Sequence, residues 1–276
     1  MDINFIKRKD GFSMQKIRIF QVDAFTSELF KGNPAAVCIL DKWLDDEVLQ
    51  AIGTENNLAE TAFLVSKGSE YEIRWFTPSV EVDLCGHATL ASAYVLFTQL
   101  GFTGAEIVFN SPRSGILKVK RQNNLLSLDF PTDELSSATI LPEIIEGIGT
   151  TPIEVLKGKT DYMAILKSED EVRAVKPKLA SIAKLNGRGL IITAPGKEVD
   201  FVSRFFAPQS GIDEDPVTGS AHTSLTPYWS KKLNKTFLAA KQLSKRGGTL
   251  FCKNNGTRIE ISGEARLYMV GEIYID

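Results

Sequence analysis

Glu60 opens an apolar run, Asn57-Leu58-Ala59-Glu60-Thr61-Ala62-Phe63-Leu64-Val65. A carboxylate entering an apolar strand loses solvation, and loss of solvation raises a carboxyl pKa. A general acid or base working near neutrality wants a value of roughly 6–7, against about 4.3 for free glutamate. Glu60 is therefore the candidate for proton transfer; the plain alternative is a surface glutamate at a strand edge. Asp215 lies in Asp213-Glu214-Asp215-Pro216-Val217-Thr218-Gly219-Ser220, just ahead of a helix-like segment. There it either caps the helix or holds a substrate amine or hydroxyl. Thr218 and Ser220 are ordinary residues for a helix start, and both would face an anion bound at that start. His87 follows Gly86 at the start of another helix-like segment. An imidazole there binds a carboxylate, relays a proton or serves structure alone.

These residues fall in two copies of one device. Arg74-Trp75-Phe76-Thr77-Pro78 precedes Cys85-Gly86-His87-Ala88-Thr89, and Arg204-Phe205-Phe206-Ala207-Pro208 precedes Thr218-Gly219-Ser220-Ala221-His222. Each copy is an aromatic strand closed by proline, a short loop with acidic residues, a glycine and a helix. Proline stops the strand by removing a backbone donor. The glycine lets the backbone come close to a ligand. The first N–H groups of a helix lack internal partners and sit at its positive end, so they suit an anion. The pattern predicts a duplicated domain, with a small anion held between helix N-termini that begin near Gly86 and Gly219.

Two alternatives are weaker. Cys85 could join His87 and His222, the only histidines, as a metal ligand. But Cys85-Gly86-His87 is too tight for an ordinary zinc pair, so no metal is expected. No Gly-x-Gly-x-x-Gly follows the first strand, and no cofactor is expected. A cofactor-independent racemase can use two thiols, each activated at a helix N-terminus. Here the residue matching Cys85 in the second copy is Thr218, whose hydroxyl is far too weak an acid. Gly32-Asn33-Pro34 reads as a plain turn.

The elements that must position these groups are legible along the chain. Its 276 residues suit two modest domains, and 43% hydrophobic with 24% charged content is that of an ordinary globule. A net charge of −2, with no basic block beyond Lys7-Arg8-Lys9, argues against nucleic acid or an acidic membrane as partner. No apolar run is long enough to span a bilayer, and the basic N-terminus lacks the apolar stretch of a secretory signal. Three scattered cysteines fit a reducing cytoplasm. Residues 1–13 are polar and patternless and read as a loose extension. Strand-like runs follow at 17–22, 35–40, 61–65 and 71–76, with a helix over 45–53. Residues 88–97 are apolar on nearly every face and predict a helix buried all round. Strands at 105–109, 114–120 and 125–129 complete a first domain, 14–129. The polar connection after Asp129 opens a second, 130–265. It reads as helices near 142–148 and 178–185, strands at 153–156, 161–166, 189–193 and 200–206, and a central helix from Gly219. Pro227 should bend that helix or mark a late start. Strands at 236–241, 248–253 and 257–262 follow. The last strand, 266–276, could cross back to the first domain.

The motifs Phe20-Gln21-Val22-Asp23-Ala24-Phe25-Thr26, Gly32-Asn33-Pro34-Ala35-Ala36-Val37, Glu60-Thr61-Ala62-Phe63, Asp83-Leu84-Cys85-Gly86-His87-Ala88-Thr89 and Asp215-Pro216-Val217-Thr218-Gly219-Ser220-Ala221 occur in that order. The chain from about Ile17 onward resembles the PhzF-like family of isomerases from phenazine biosynthesis. The resemblance implies the diaminopimelate-epimerase-like fold, an α/β (α+β) architecture of two pseudo-symmetric domains. Each is a curled, mostly antiparallel sheet around a central helix. It also implies a homodimer without cofactor. In phenazine producers the family enzyme isomerises trans-2,3-dihydro-3-hydroxyanthranilate, a glutamate taking a proton from one ring carbon and returning it to another. By that resemblance Glu60 is the acid/base. His87, Asp215, Thr218 and Ser220 surround the substrate, and the backbone at Gly86 and Gly219 receives its carboxylate. The rival readings are an amino- or hydroxy-acid racemase or epimerase, and a non-enzymatic metabolite-binding protein on the same fold.

Overall fold

The structure, a computed structural model, describes residues 5–7 and 13–275. The chain forms two compact units. The first holds the described residues up to Leu29, Pro34–Leu128 and the C-terminal stretch from Glu264; the second holds Phe30–Asn33 and Asp129–Gly263.

The first unit contains β1 (Phe5–Lys7), β2 (Ser13–Ala24), β3 (Asn33–Leu40), β4 (Glu60–Lys67), β5 (Glu70–Phe76), β6 (Glu81–Val82), β7 (Glu106–Ser111), β8 (Gly115–Gln122) and β9 (Leu125–Pro131). Its helices are α1 (Asp46–Asn56) and α2 (Gly86–Thr98). The C-terminal strand, Ala265–Ile275, lies antiparallel to β2. β1 pairs with Ser13–Gln15, where the sequence reading expected a loose extension; the rest of that extension lies outside the described residues. β4 runs parallel to β3 and antiparallel to β5. Phe63 and Val65 of β4 join Ala36, Cys38 and Leu40 of β3 in a cluster with Leu49 and Ile52 of α1. α2 also packs on β4. With helices on both sides, β4 is buried continuously from Glu60 to Val65 instead of alternating. α1 stops at Asn57, which takes the left-handed conformation (φ 48°) and donates its N–H to the Gly53 carbonyl. The stop releases the chain directly into β4. α2 is the apolar helix expected from residues 88–97. Ten of its 13 residues are buried, and it packs on β2, β4, β8 and the C-terminal strand.

The second unit contains β10 (Ser136–Ser137), β11 (Glu154–Lys157), β12 (Asp161–Ile165), β13 (Gly189–Pro195), β14 (Phe201–Phe206), β15 (Phe237–Gln242), β16 (Gly248–Asn254) and β17 (Arg258–Gly263). Its helices are α3 (Pro142–Ile148), α4 (Glu169–Ala174), α5 (Leu179–Ile182) and α6 (His222–Leu233). α6 packs on β15, β16 and β17. Two details differ from the sequence reading. The central helix begins at His222, and Gly219–Ala221 form a turn whose carbonyls accept from the N–H groups three residues on. Pro227 stands inside α6 rather than at its start. It cannot donate to the Thr223 carbonyl, and that carbonyl instead accepts from the Asp133 N–H at 3.3 Å.

The pairings give physical form to the repeat. In the first unit β3–β4 is parallel, β4–β5 antiparallel, β5–β7 parallel, β7–β8 antiparallel and β8–β9 antiparallel. In the second, β12–β13, β13–β14, β14–β15, β15–β16 and β16–β17 follow the same sequence of orientations. The long central helix falls between the third and fourth strands of each series, because a parallel step needs a crossover. Each unit is thus a mostly antiparallel sheet curled around one helix.

Candidate functional site

Glu60 is the first residue of β4, paired with Ala35 across the parallel ladder. β4 is buried there, so Glu60 is only 9% exposed. Gly86 opens α2, with Cys85 as its N-cap residue. The next position, His87, is also buried, and its Nε2 lies 3.1 Å from Glu60 Oε2. That distance is within ion-pair reach, and among the described residues no donor other than His87 approaches this oxygen, which is shut off from water.

On the other side of the imidazole, Cys85 Sγ lies 3.4 Å from His87 Nδ1. Burial alone would lower the pKa of His87, but its acidic neighbours Cys85 and Glu60 overcome this and hold it well above the ordinary histidine value. Burial raises the Cys85 thiol and the Glu60 carboxylate adds to that; His87 and the Ala88 N–H only partly offset them. Cys85 is therefore a thiol near neutrality, not the thiolate that thiol-based proton transfer requires. Glu60, arriving from a separate strand, completes a trio with Cys85 and His87 whose possible ligand atoms lie within 4.8 Å of one another. Spacing along the chain did not reveal that grouping.

The second unit gathers Asp215, Thr218, Gly219 and Ser220 ahead of α6. Thr218 Oγ1 donates to Asp215 Oδ2 at 2.6 Å, and Asn33 Nδ2 donates to Asp215 Oδ1 at 2.7 Å and to the Val217 carbonyl at 2.9 Å. Gln242, at the end of β15, accepts from the Thr218 N–H at 2.8 Å. Its Nε2 donates to the Asp215 carbonyl at 2.8 Å and to Thr218 Oγ1 at 3.0 Å. Asp215 therefore does not cap α6; it anchors a loop network. Two members of that network, Asn33 and Gln242, were missed. Asn33 read as a plain turn residue. Gln242 carries no local signal, since only the pairing of β14 with β15 brings it there.

His222 is fully buried, and its Nδ1 lies 2.8 Å from the Thr218 carbonyl. A carbonyl only accepts, so Nδ1 carries the proton. Burial pushes its pKa down to about 4, the Thr218 bond only partly opposing, and keeps the ring neutral. The two histidines thus have opposite electrostatic surroundings.

Residues 22–271 match the family model described as phenazine biosynthesis-like protein. A protein of Pseudomonas aeruginosa named as an uncharacterized isomerase is 52% identical over 258 residues, covering 94% of this chain and 98% of that one. A crystal structure of a PhzF-family phenazine biosynthesis protein from Enterococcus faecalis superposes with a TM-score of 0.92 at 47% identity, covering 95% of this chain and all of that one. A hydroxyproline epimerase from Agrobacterium vitis, at 8% identity and a TM-score of 0.60 over 95% of this chain and 93% of its own, shares the fold alone.

Proposed function

The chain belongs to the phenazine biosynthesis-like family, and on that premise we propose that this isomerase moves a proton on a small carboxylate substrate, with Glu60 as the single acid/base and no cofactor. The observation that carries this reading is the buried Glu60 carboxylate, held 3.1 Å from the His87 imidazole at the start of α2. A carboxylate so placed can take a proton from a substrate carbon and return it to another. The carboxylate pair of electrons forms the O–H bond, the C–H pair stays with the substrate, and the return step reverses both. His87 orients the Glu60 carboxylate through their 3.1 Å contact. Burial keeps bulk water from exchanging the transferred proton. Gly86, Asp215, Thr218, Gly219 and Ser220 are the proposed substrate-binding residues.

The racemase alternative needs a second acid/base. The Thr218 hydroxyl is committed to Asp215, and Cys85 is held as a thiol; both weigh against it. The test is a screen of small cyclic and acyclic amino acids in deuterated water. Isomerisation with partial retention of the substrate hydrogen supports a single buried carrier. Deuterium incorporation with inversion at one chiral carbon supports the racemase. The family resemblance also supports a cytoplasmic homodimer without bound metal. Sedimentation velocity showing only monomers, or about one transition metal per chain by elemental analysis, would refute those parts.

A further inference from the structure

Arg188 stands between two glycines at the entry to β13, in Gly187-Arg188-Gly189. A Cβ at Gly189 would meet the Phe205 ring and the Phe206 carbonyl at 2.6 Å, and one at Gly187 would meet the Thr160 carbonyl at 2.9 Å. The missing side chains let the backbone press against β14, and the Arg188 N–H reaches the Thr160 carbonyl at 2.7 Å. The guanidinium then lies over Phe205, 5.1 Å from the ring centre. Asp161, 4% exposed, receives it as a fork: Nε donates to Oδ1 at 2.9 Å and Nη2 to Oδ2. The second Nη2 proton goes to Ser220 Oγ at 3.0 Å. Three of the five N–H groups of an arginine are thereby used, and the two on Nη1 meet no acceptor among the described residues.

Ser220 is altered by the same contact. Its oxygen accepts from Arg188, so its own proton is left to point elsewhere. The backbone N–H groups of Gly219, Ser220 and Ala221 likewise have no acceptor among the described residues, while the next three N–H groups do. Arg188, its charge met by Asp161, therefore adds two unspent donors beside a helix start already short of acceptors.

We propose that Arg188, buttressed by Asp161 and Phe205, is a specificity-determining residue of the second unit: with the Ser220 hydroxyl and the Gly219–Ala221 N–H groups it selects a carboxylate over an uncharged group on the substrate. The inference rests on the carboxylate reading above but assigns a residue that the motif resemblance did not. An oxygen at the end of the fork accepts from Nη1 and from the Ser220 hydroxyl together. Asp161 meets the arginine charge, and Asp215 and Asp133 act on it as well, so the selection rests on the donors left over, the two Nη1 protons and the Ser220 hydroxyl, all of which call for an acceptor-only group such as a carboxylate.

The test uses benzoate as probe and the isosteric, neutral benzamide as control, followed by amide NMR on the full chain. Benzoate should shift the Gly219, Ser220 and Ala221 amide resonances, and benzamide should not. Because Arg188→Met alone strands the buried Asp161 charge, the main variant is Arg188→Gln with Asp161→Asn, which removes both charges together. Benzoate affinity should fall about 10- to 100-fold in that variant, as for loss of a charge-assisted hydrogen bond, and less in Arg188→Lys. Unchanged benzoate affinity in the double variant, equal binding of benzamide, or no shift of these amides up to tens of millimolar benzoate would each overturn the proposal. Glu60→Gln separates this idea from the catalytic one. An Arg188-dependent benzoate site in a protein whose turnover ignores Glu60→Gln leaves the recognition standing and removes the mechanism.

Discussion

Glu60 Oε2 and His87 Nε2 stand 3.1 Å apart, one at the first residue of β4 and the other at the second residue of α2. The contact follows from the crossover topology. β4 starts where α1 releases the chain, and α2 starts after β5 has returned antiparallel to β4. The strand start and the helix start therefore meet at one end of the sheet. The acid/base candidate is fixed by main-chain elements at both ends of the contact, and such placement suits proton transfer, where small displacements are costly.

Glu60→Gln keeps the size of the side chain but cannot accept a proton near neutrality. Turnover should fall by roughly 10²–10⁴, the range for a positioned proton-transfer group, while substrate affinity changes much less. Cys85→Ala should be far milder, because burial holds Cys85 as a thiol. The comparison is made on whichever substrate the deuterium screen finds. An inactive Cys85→Ala beside an active Glu60→Gln would reverse the assignment and move the protein toward thiol-based racemases.

His87→Gln should change the pH dependence of stability on the alkaline side. The folded-state pKa of His87 is raised, so folding favours its protonated form. The stabilisation is fully present below the unfolded value of about 6.5 and is lost as pH rises through the elevated folded value. Urea midpoints of wild type and variant should differ most in mild acid and converge as pH climbs. A difference that grows with pH contradicts the raised value.

The opposite sign holds for His222. Its folded-state pKa is lowered to about 4, so between about 6.5 and 4 the unfolded chain takes up a proton that the folded chain refuses. Stability attributable to this residue should fall by roughly 3 kcal/mol as pH drops through that window. His222→Gln should remove that loss, which urea titrations at stepped pH would read. Equal slopes for both proteins would show that the buried ring is protonated in the folded state.

The two copies were legible because their signals are local: proline follows a strand, glycine stands at or just ahead of a helix start, and α2 is apolar on every face. Glu60, Gly86 and His87 stood out as candidates for the same reason, since each sits beside one of those boundaries. What escaped the sequence came from contacts between distant segments. Gln242 reaches Thr218 across 24 residues, Asn33 reaches Asp215 across 182, and Arg188 reaches Ser220 across 32. The late start of α6 escaped too. A turn with three-residue bonds and a true helical turn share the same composition, and only hydrogen-bond geometry separates them.

Arg204 gives the last prediction, because the repeat supplies its own control. Arg204 forks onto Glu214 with Nε–Oε1 at 2.7 Å and Nη2–Oε2 at 3.0 Å, and Arg74 forks onto Glu81 with the same atoms at 2.7 and 2.9 Å. Each pair ties a strand to the loop ahead of a glycine and central helix. Their surroundings differ. Arg204 Nη1 also serves the Val172 and Val175 carbonyls at 3.2 and 2.7 Å, in buried surroundings. Arg74 Nη1 instead reaches Asp46, whose side chain is 77% exposed, and Glu81 retains a second cation in Arg113 at 2.7 Å. Arg204→Met should therefore strand a carboxylate and two carbonyls and cost about 3–5 kcal/mol. Arg74→Met should cost about 1–2 kcal/mol, since water and Arg113 take over its partners. Because Glu214 is followed directly by Asp215, Arg204→Met should also loosen the loop network and raise KM more than it lowers kcat. Guanidinium unfolding and steady-state kinetics on both variants check the two halves of this expectation. Equal destabilisation by the two substitutions would mean that the bidentate pairs alone carry the energy and that the buried carbonyls contribute nothing.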